Sequence, residues 1–282
     1  MIDDISKALR GDFEERLFAA ALRNLEDSSN PLRLNNFAYA MRELTRHLLH
    51  RLAPDESVNR CPWYKNETRK ENGITRKQRA IYATQGGLSD AYVRDILQLE
   101  VEDIHADLVK AISGLSKLTH IERSVFDLPA QQVDSLADEA IVAVYDFVRT
   151  IFACRNTIID QLWEQIDSAV IDETLRETIV AIDELASHSY IDAVYTERVD
   201  IVAIDHESIN FSAQGTIECE LQWGSNSDLR RGDGAVLPES FPFQCELFSP
   251  IGAPGDVVLR EDSFGVDTGS WSDVRYGQDE QA

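Results

Sequence analysis

Several absences bound this sequence before any motif is considered. It has no run of about 18 apolar residues, so no segment reads as a membrane-spanning helix. Its four cysteines, Cys61, Cys154, Cys219 and Cys245, lie far apart. That spacing excludes a zinc-finger pattern and a dense disulfide framework, and predicts reduced thiols in a cytoplasmic protein. The opening "MIDDISKALRGDFEERL" lacks the basic start and apolar stretch of a signal peptide. Positive charge is scarce: 27 Lys and Arg stand against 50 Asp and Glu, a formal net charge of -23. A surface of that sign repels a phosphate backbone and argues against broad, nonspecific nucleic-acid binding. No lysine follows Lys117, so the C-terminal part has no lysine chemistry to offer.

What is present is organised in two parts. A length of 282 residues suits two domains. Residues 1 to about 190 carry helical periodicity, from "ISKALRGDFEERLFAAALRNL" through a helix over about 35–52, stopped at Pro54. Thr75 reads as the N-cap of a helix from Arg76 to about Thr84, closed by Gly86 and Gly87, and Ser89 as the cap of a short one after it. The strongest pattern spans about Gln131 to Ile166, and helix is expected to continue to about His188. Val, Ile, Thr and aromatic residues then alternate with period two, predicting strands near 198–204, 208–212, 215–223 and 242–248. The expected fold is α+β: a mainly helical N-terminal domain (1–190), then a small antiparallel β-rich domain (191–262). Residues 263–282 read as a flexible tail.

Against the acidic mean, residues Arg42 to Arg79 hold ten Lys and Arg and five Asp and Glu. Such a segment either focuses an anionic ligand or docks on an acidic face of the same chain. It opens with "MRELTRHLLHRL", where Arg42, Arg46 and His50 form one helical stripe and Glu43, His47 and Arg51 the next. Three functional readings compete with a plain amphipathic helix. Arg42 and His47, with four residues between them, match the loose motif of the HEPN ribonucleases. There a His transfers protons and an Arg stabilises the phosphorane, without metal. On a straight helix, however, the pair lies about 140° apart. Metal binding by Glu43, His47 and His50 is opposed by the flanking arginines. Phosphate contact without catalysis would use Arg51, Lys65, Arg76, Lys77 and Arg79, with Trp63 and Tyr64 stacking on bases. The bland alternative is a surface loop with one buried Trp anchor. His120, three residues before Arg123, is a second proton-transfer candidate or a helix-end cap.

The β region offers Asp205, Glu218, Glu220, Asp228 and Asp233, which resembles a degraded restriction-endonuclease metal site. That site wants a Lys where Glu220 stands. The structural reading has Glu218 and Glu220 facing out while Ile217, Cys219 and Leu221 face in. "GSNSDLRRGDGA" has no nucleophile-elbow context and reads as a docking loop.

Several passages together point to a family. They are "NFAYAMRELTRHLLHRLAPDESV" with "CPWY", "GITRKQRAIYATQGGLSD", "KLTHIERSVFDL", and "GTIECELQWGSNSDLRRGDG" followed by "FPFQCEL". Over roughly residues 35–248 the chain resembles the bacterial predicted pPIWI-associating nucleases. The resemblance implies a role in prokaryotic conflict or antiphage defence, with nuclease activity. The expectation is therefore a nuclease-like effector acting on RNA or single-stranded nucleic acid, ribonuclease favoured over metal-dependent DNase, with no cofactor and no metal. Arg42, Arg46, His47, His50 and His120 are its catalytic candidates. The alternative is a non-enzymatic module that docks a partner protein or nucleoprotein complex of a defence system. Charge asymmetry also suggests homo-oligomerisation.

Overall fold

The computed structural model describes residues 1–9, 11–176, 179–269 and 271, without the side chains of 175 and 176. The chain forms two compact units, Met1–Ile158 and Ile159–Ala282. The architecture is α+β, helices first and an antiparallel sheet after them.

In the first unit, α1 (Ile2–Ala8) and α2 (Asp12–Glu26) divide what reads in sequence as one helix. The break is at Gly11, whose φ of 88° a helix cannot accommodate. Next come α3 (Arg33–Leu52), the short α4 (Asp55–Asn59), α5 (Arg76–Gln85), a π-helical turn (Tyr92–Ile96) and α6 (Glu102–Leu118). Helix α7 (Ala130–Arg176) follows, its residues to Ile158 belonging to this unit. Helix α3 is central. Its Phe37, Met41 and Leu44 pack with Ile5, Phe18, Leu115 and Val144. One turn further on, Leu48 and Leu49 join Ala80 and Ala83 of α5, Leu108 and Ile112 of α6, and Phe147 and Ile151 of α7. With that apolar stripe buried, the Arg42–Arg46–His50 stripe is left on the polar flank.

The expected caps are present. Thr75 Oγ1 accepts from the Gln78 N–H at 3.2 Å while Gln78 Oε1 accepts from the Thr75 N–H at 2.9 Å, a reciprocal capping box. Gly86, at φ 58°, terminates α5. Ser89 Oγ accepts from the Tyr92 N–H at the start of the π turn.

In the second unit, α8 (Val180–Asp183) precedes β1 (His188–Ile204). Helix was expected to about His188 and the first strand from near 198; instead α8 ends at Asp183 and His188 to Ile191 already pair with Gln222 to Cys219. A sheet partner overrides local helix preference there. Strand β2 (Ser208–Trp223) is unbroken where two strands were expected. It leads through α9 (Asn226–Arg231) to β3 (Ala235–Pro250), whose edge carries β4 (Val258–Leu259) and β5 (Gly265–Val266). The break expected at 213–214 is absent, since Ala213 and Gln214 belong to the ladder. A Cβ at Gly215 would collide with the Tyr195 carbonyl and approach the Phe243 ring to 2.8 Å. The glycine admits the β1 bulge between Thr196 and Arg198. Alternation buries Ile209, Phe211, Ala213, Ile217, Cys219 and Leu221 of β2 and leaves Glu218 and Glu220 exposed. The expected tail begins at 263. Gly265–Val266 of it pairs with β3, while 270 and 272–282 lie outside the described residues. No described helix is long and apolar enough to cross a membrane.

Candidate nucleic-acid cleft

The polar flank of α3 forms one wall of a cleft of about 600 Å³. The segment 70–74, the start of α5, Asp55 at the start of α4 and Ile112 of α6 complete it. Five cations line it (Arg42, Arg46, Lys70, Arg76, Arg79) against three carboxylates (Glu43, Asp55, Glu71), with the His50 imidazole among them.

Local hydrogen bonding holds the loop wall. Asn66 Oδ1 accepts from the Thr68 N–H at 2.9 Å, Thr68 Oγ1 accepts from the Lys70 N–H at 3.1 Å, and Asn66 Nδ2 donates to the Lys70 carbonyl at 2.8 Å. Tyr64 Oη donates to the Gly73 carbonyl at 3.1 Å, and Gln78 Nε2 reaches the Lys65 carbonyl at 2.6 Å. A Cβ on Gly73 would run into Thr68 Oγ1, so the loop closes this tightly only with glycine there.

Of the residues singled out in the sequence, Arg42, Arg46, His50, Arg76 and Arg79 meet in this cleft. Arg42 is held by Glu43 at 2.9 Å, by Thr119 Oγ1 at 3.2 Å, and over the Tyr39 ring. Arg46 donates to the other Glu43 oxygen at 2.9 Å. Arg79 is 7% exposed, donating to the Ala53 carbonyl and to Asp55 Oδ1, both at 2.6 Å. Its guanidinium positions the α3–α4 corner as well as facing the cleft.

The others lie elsewhere. Because α3 is continuous from Arg33 to Leu52, His47 is on a different flank from Arg42; its ring meets Phe13 edge-on at 5.0 Å. Arg51 forks onto Glu14 with two 2.9 Å bonds and donates to the Ala8 carbonyl, tying α3 to α2 and the end of α1. Trp63 Nε1 donates to the Gly86 carbonyl at 2.9 Å, and both Trp63 and Tyr64 pack on the cluster of Ala53, Val58, Cys61 and Tyr82. Lys65 is exposed, and Lys77 lines a separate pocket beyond α5. His120 is exposed just past α6, next to the Thr119 that Arg42 contacts.

The electrostatics follow from these pairings. Desolvation raises the Glu43 pKa, but the hydrogen bonds and charges of Arg42 and Arg46 outweigh it and hold the carboxyl below its ordinary value. His50 is pushed down from the usual imidazole value, first by desolvation and then by Arg79, with Asp55 opposing and Arg46 and His47 adding to the fall. It is therefore a neutral imidazole near neutral pH, free to accept a proton. Asp55 and Thr119 carried no sequence signal, since their roles depend on which arginine folds against them.

In the second unit Asp205 caps the β1–β2 turn, accepting from the Glu207 and Ser208 N–H groups at 2.8 Å. Among the described residues, no three His, Cys, Asp or Glu side chains gather as a metal site requires. The four cysteines are buried. Burial pushes Cys154 and Cys245 up to about 12 and, with Glu239 and Asp192 adding, Cys219 to about 11, far from thiolate chemistry.

Comparison with known proteins agrees with the family reading. Two family models, each described as predicted pPIWI-associating nuclease, match residues 6–144 and 151–272. No curated protein and no solved structure matches the chain. With nearly the whole length covered, the chain belongs to the predicted pPIWI-associating nuclease family.

Proposed function

We propose that this member of the family is a nuclease-like effector of a prokaryotic antiphage system that acts on RNA or single-stranded nucleic acid. In this reading the cleft of the helical unit is where the phosphates sit. One observation carries it: five cations and an imidazole gather in one cleft of a chain whose formal charge is -23. A basic recess in an acidic body repels duplex at large and draws a flexible strand toward it. Arg46, Lys70 and Arg76 hold the backbone. Neutral His50 accepts the proton of the RNA 2′-hydroxyl as its oxygen attacks phosphorus; the P–O5′ bond breaks to leave a 2′,3′-cyclic phosphate, the departing 5′-oxygen takes a proton from water, and Arg46 stabilises the phosphorane charge. In this reading His47, whose ring meets Phe13 and whose Nε2 lies 3.3 Å from Arg46, and the exposed His120 are not assigned the proton transfer.

A second reading is a docking module for a partner protein or nucleoprotein complex. It is favoured by the fact that Glu43 already engages two of the five cations and Asp55 a third. Labelled RNA and DNA, incubated with and without chelator, separate the two. The first reading expects chelator-resistant RNA cleavage that falls about 100-fold or more in His50→Ala and stays within a few-fold in His47→Ala. Cleavage that needs a divalent ion and ignores His50→Ala would move the chemistry away from this cleft. Absence of cleavage under every condition, with tight capture of a partner, supports the docking module.

A further inference from the structure

Among the described residues, no ring other than the His50 imidazole lines the cleft. Trp63 and Tyr64, the rings expected from the sequence to stack on bases, are committed to the cluster around Val58 and Tyr82. The polar stripe of α3 supplies another. Tyr39 lies one turn before Arg42 and Glu43, so it continues the Arg42–Arg46–His50 stripe past the end of the cleft. Its neighbours Phe37, Ala38, Ala40 and Met41 are buried, whereas Tyr39 is 57% exposed. A ring left in water on a helix that buries the residues around it contributes little to the core.

The exposed ring is nevertheless held in place. The Arg42 guanidinium stands over it, 5.2 Å from the centroid, and is itself fixed by Glu43 at 2.9 Å and Thr119 Oγ1 at 3.2 Å. A cation anchored at two further points steadies the ring, so less side-chain freedom is lost when a second planar group stacks on it. Tyr39 precedes Arg46 by seven residues and His50 by eleven. At 1.5 Å per residue it stands about 10 Å along the helix from Arg46 and about 16 Å from His50. That places it away from the proposed proton transfer and beside the next stretch of a strand held at Arg46.

We propose that Tyr39 is a stacking platform for one base of the strand whose phosphates lie in the cleft, a flanking base rather than the one at the bond that breaks. This role rests on the nucleic-acid function proposed above and adds a contact that does not depend on phosphate. A basic groove with an aromatic ring beside it is how proteins hold single strands, and stacking tolerates any sequence because every base has a π face. Binding of eight-nucleotide oligo-A RNA, and of a ribose-phosphate strand of the same length without bases, is followed by fluorescence anisotropy on the full chain. The parent should bind oligo-A more tightly than the abasic strand. Tyr39→Ala should weaken oligo-A binding about fivefold or more, the lower end of what one stacked base is worth, and leave the abasic strand within about twofold. Tyr39→Leu, which keeps apolar cover on Arg42 without a π face, should behave as Tyr39→Ala does. Tyr39→Phe should keep the parent's affinity, because the ring and not the hydroxyl makes the contact. Salt slopes should match in all these proteins, since no phosphate contact changes.

Equal loss of oligo-A and abasic binding in Tyr39→Ala overturns the platform, for the ring would then act only by positioning Arg42. Oligo-A binding that ignores Tyr39→Ala and Tyr39→Leu, or that falls as far in Tyr39→Phe, overturns it as well. In each of these cases both strands still bind the parent and the cleft reading stands. A parent chain that binds neither strand overturns the cleft reading and the platform together.

Discussion

Arginines that look equivalent along the basic segment divide sharply once their partners are known. Arg51 is spent on Glu14, which is buried beneath α3, so its role is cohesion. Arg51→Met should lower unfolding stability by about 2–3 kcal/mol, at the low end for a broken buried pair because the guanidinium is part-exposed. Oligonucleotide affinity should stay within about twofold; lost affinity at unchanged stability would place Arg51 in the cleft. His105 of α6, buried against Thr84 Oγ1 at 2.9 Å, gives a pH signature of known sign. Its folded pKa of about 4 lies below the unfolded value of 6.5, so the unfolded chain binds the extra proton between those values. The stability that neutral His105 permits is complete above pH 6.5 and falls as pH drops, by up to roughly 3 kcal/mol at pH 4. Urea unfolding from pH 7.5 to 4 should show a shallower decline in His105→Gln than in the parent; parallel curves would contradict the burial argument. In the sequence these two residues are ordinary polar members of amphipathic helices. Glu14 lies 37 positions before Arg51, and Thr84 21 positions before His105, which no local pattern can disclose.

Elements were legible where a periodic pattern ran long and uninterrupted. Helix α3, the caps at Thr75 and Ser89, and the body of α7 announce themselves through apolar spacing and capping residues. The misreadings sit at glycines and at the helix-to-sheet junction. Gly11 divides a helix that otherwise looks continuous, while Gly215 sits within one strand that runs unbroken through the expected gap at 213–214. Glycine carries both meanings, and only the neighbouring backbone decides between them. Gly215→Ala should therefore cost about 1–3 kcal/mol, as overpacking does, because the Tyr195 carbonyl it meets belongs to a paired strand. Thermal unfolding checks this, and an unchanged midpoint would mean the bulge yields freely. Gly73→Ala acts on function instead. Displacing Thr68 breaks the bonds that present Lys70, so oligonucleotide affinity should fall several-fold while the helical core stays intact. Hydrogen exchange should rise over 66–73 and not in α3; protection unchanged in that loop would contradict the role given to it.

Across the whole molecule, charge is the property that connects sequence to function most directly. The segment 42–79 is basic in a chain of formal charge -23, and folding gathers its α3 and α5 ends with Lys70 into one recess. The sign of that segment was legible, but the internal pairing by Glu43 and Asp55 was not, and it sets how many phosphates the cleft can neutralise. Between two and five charges, single-stranded RNA binding should show a log–log salt slope of about -1.4 to -3.5. A slope near zero would separate binding from this cleft. Family membership supplies the expectation of nuclease activity, and the cleft is the site proposed for it. The decisive measurement is fluorescence anisotropy of a labelled single-stranded RNA on the parent chain and on Arg46→Glu/Arg76→Glu. Both arginines border the cleft and neither is buried, so the fold should survive the change. Binding weakened by about 100-fold or more, some 2.7 kcal/mol, with unfolding unchanged, is the predicted result; undiminished binding would contradict the assignment of the cleft.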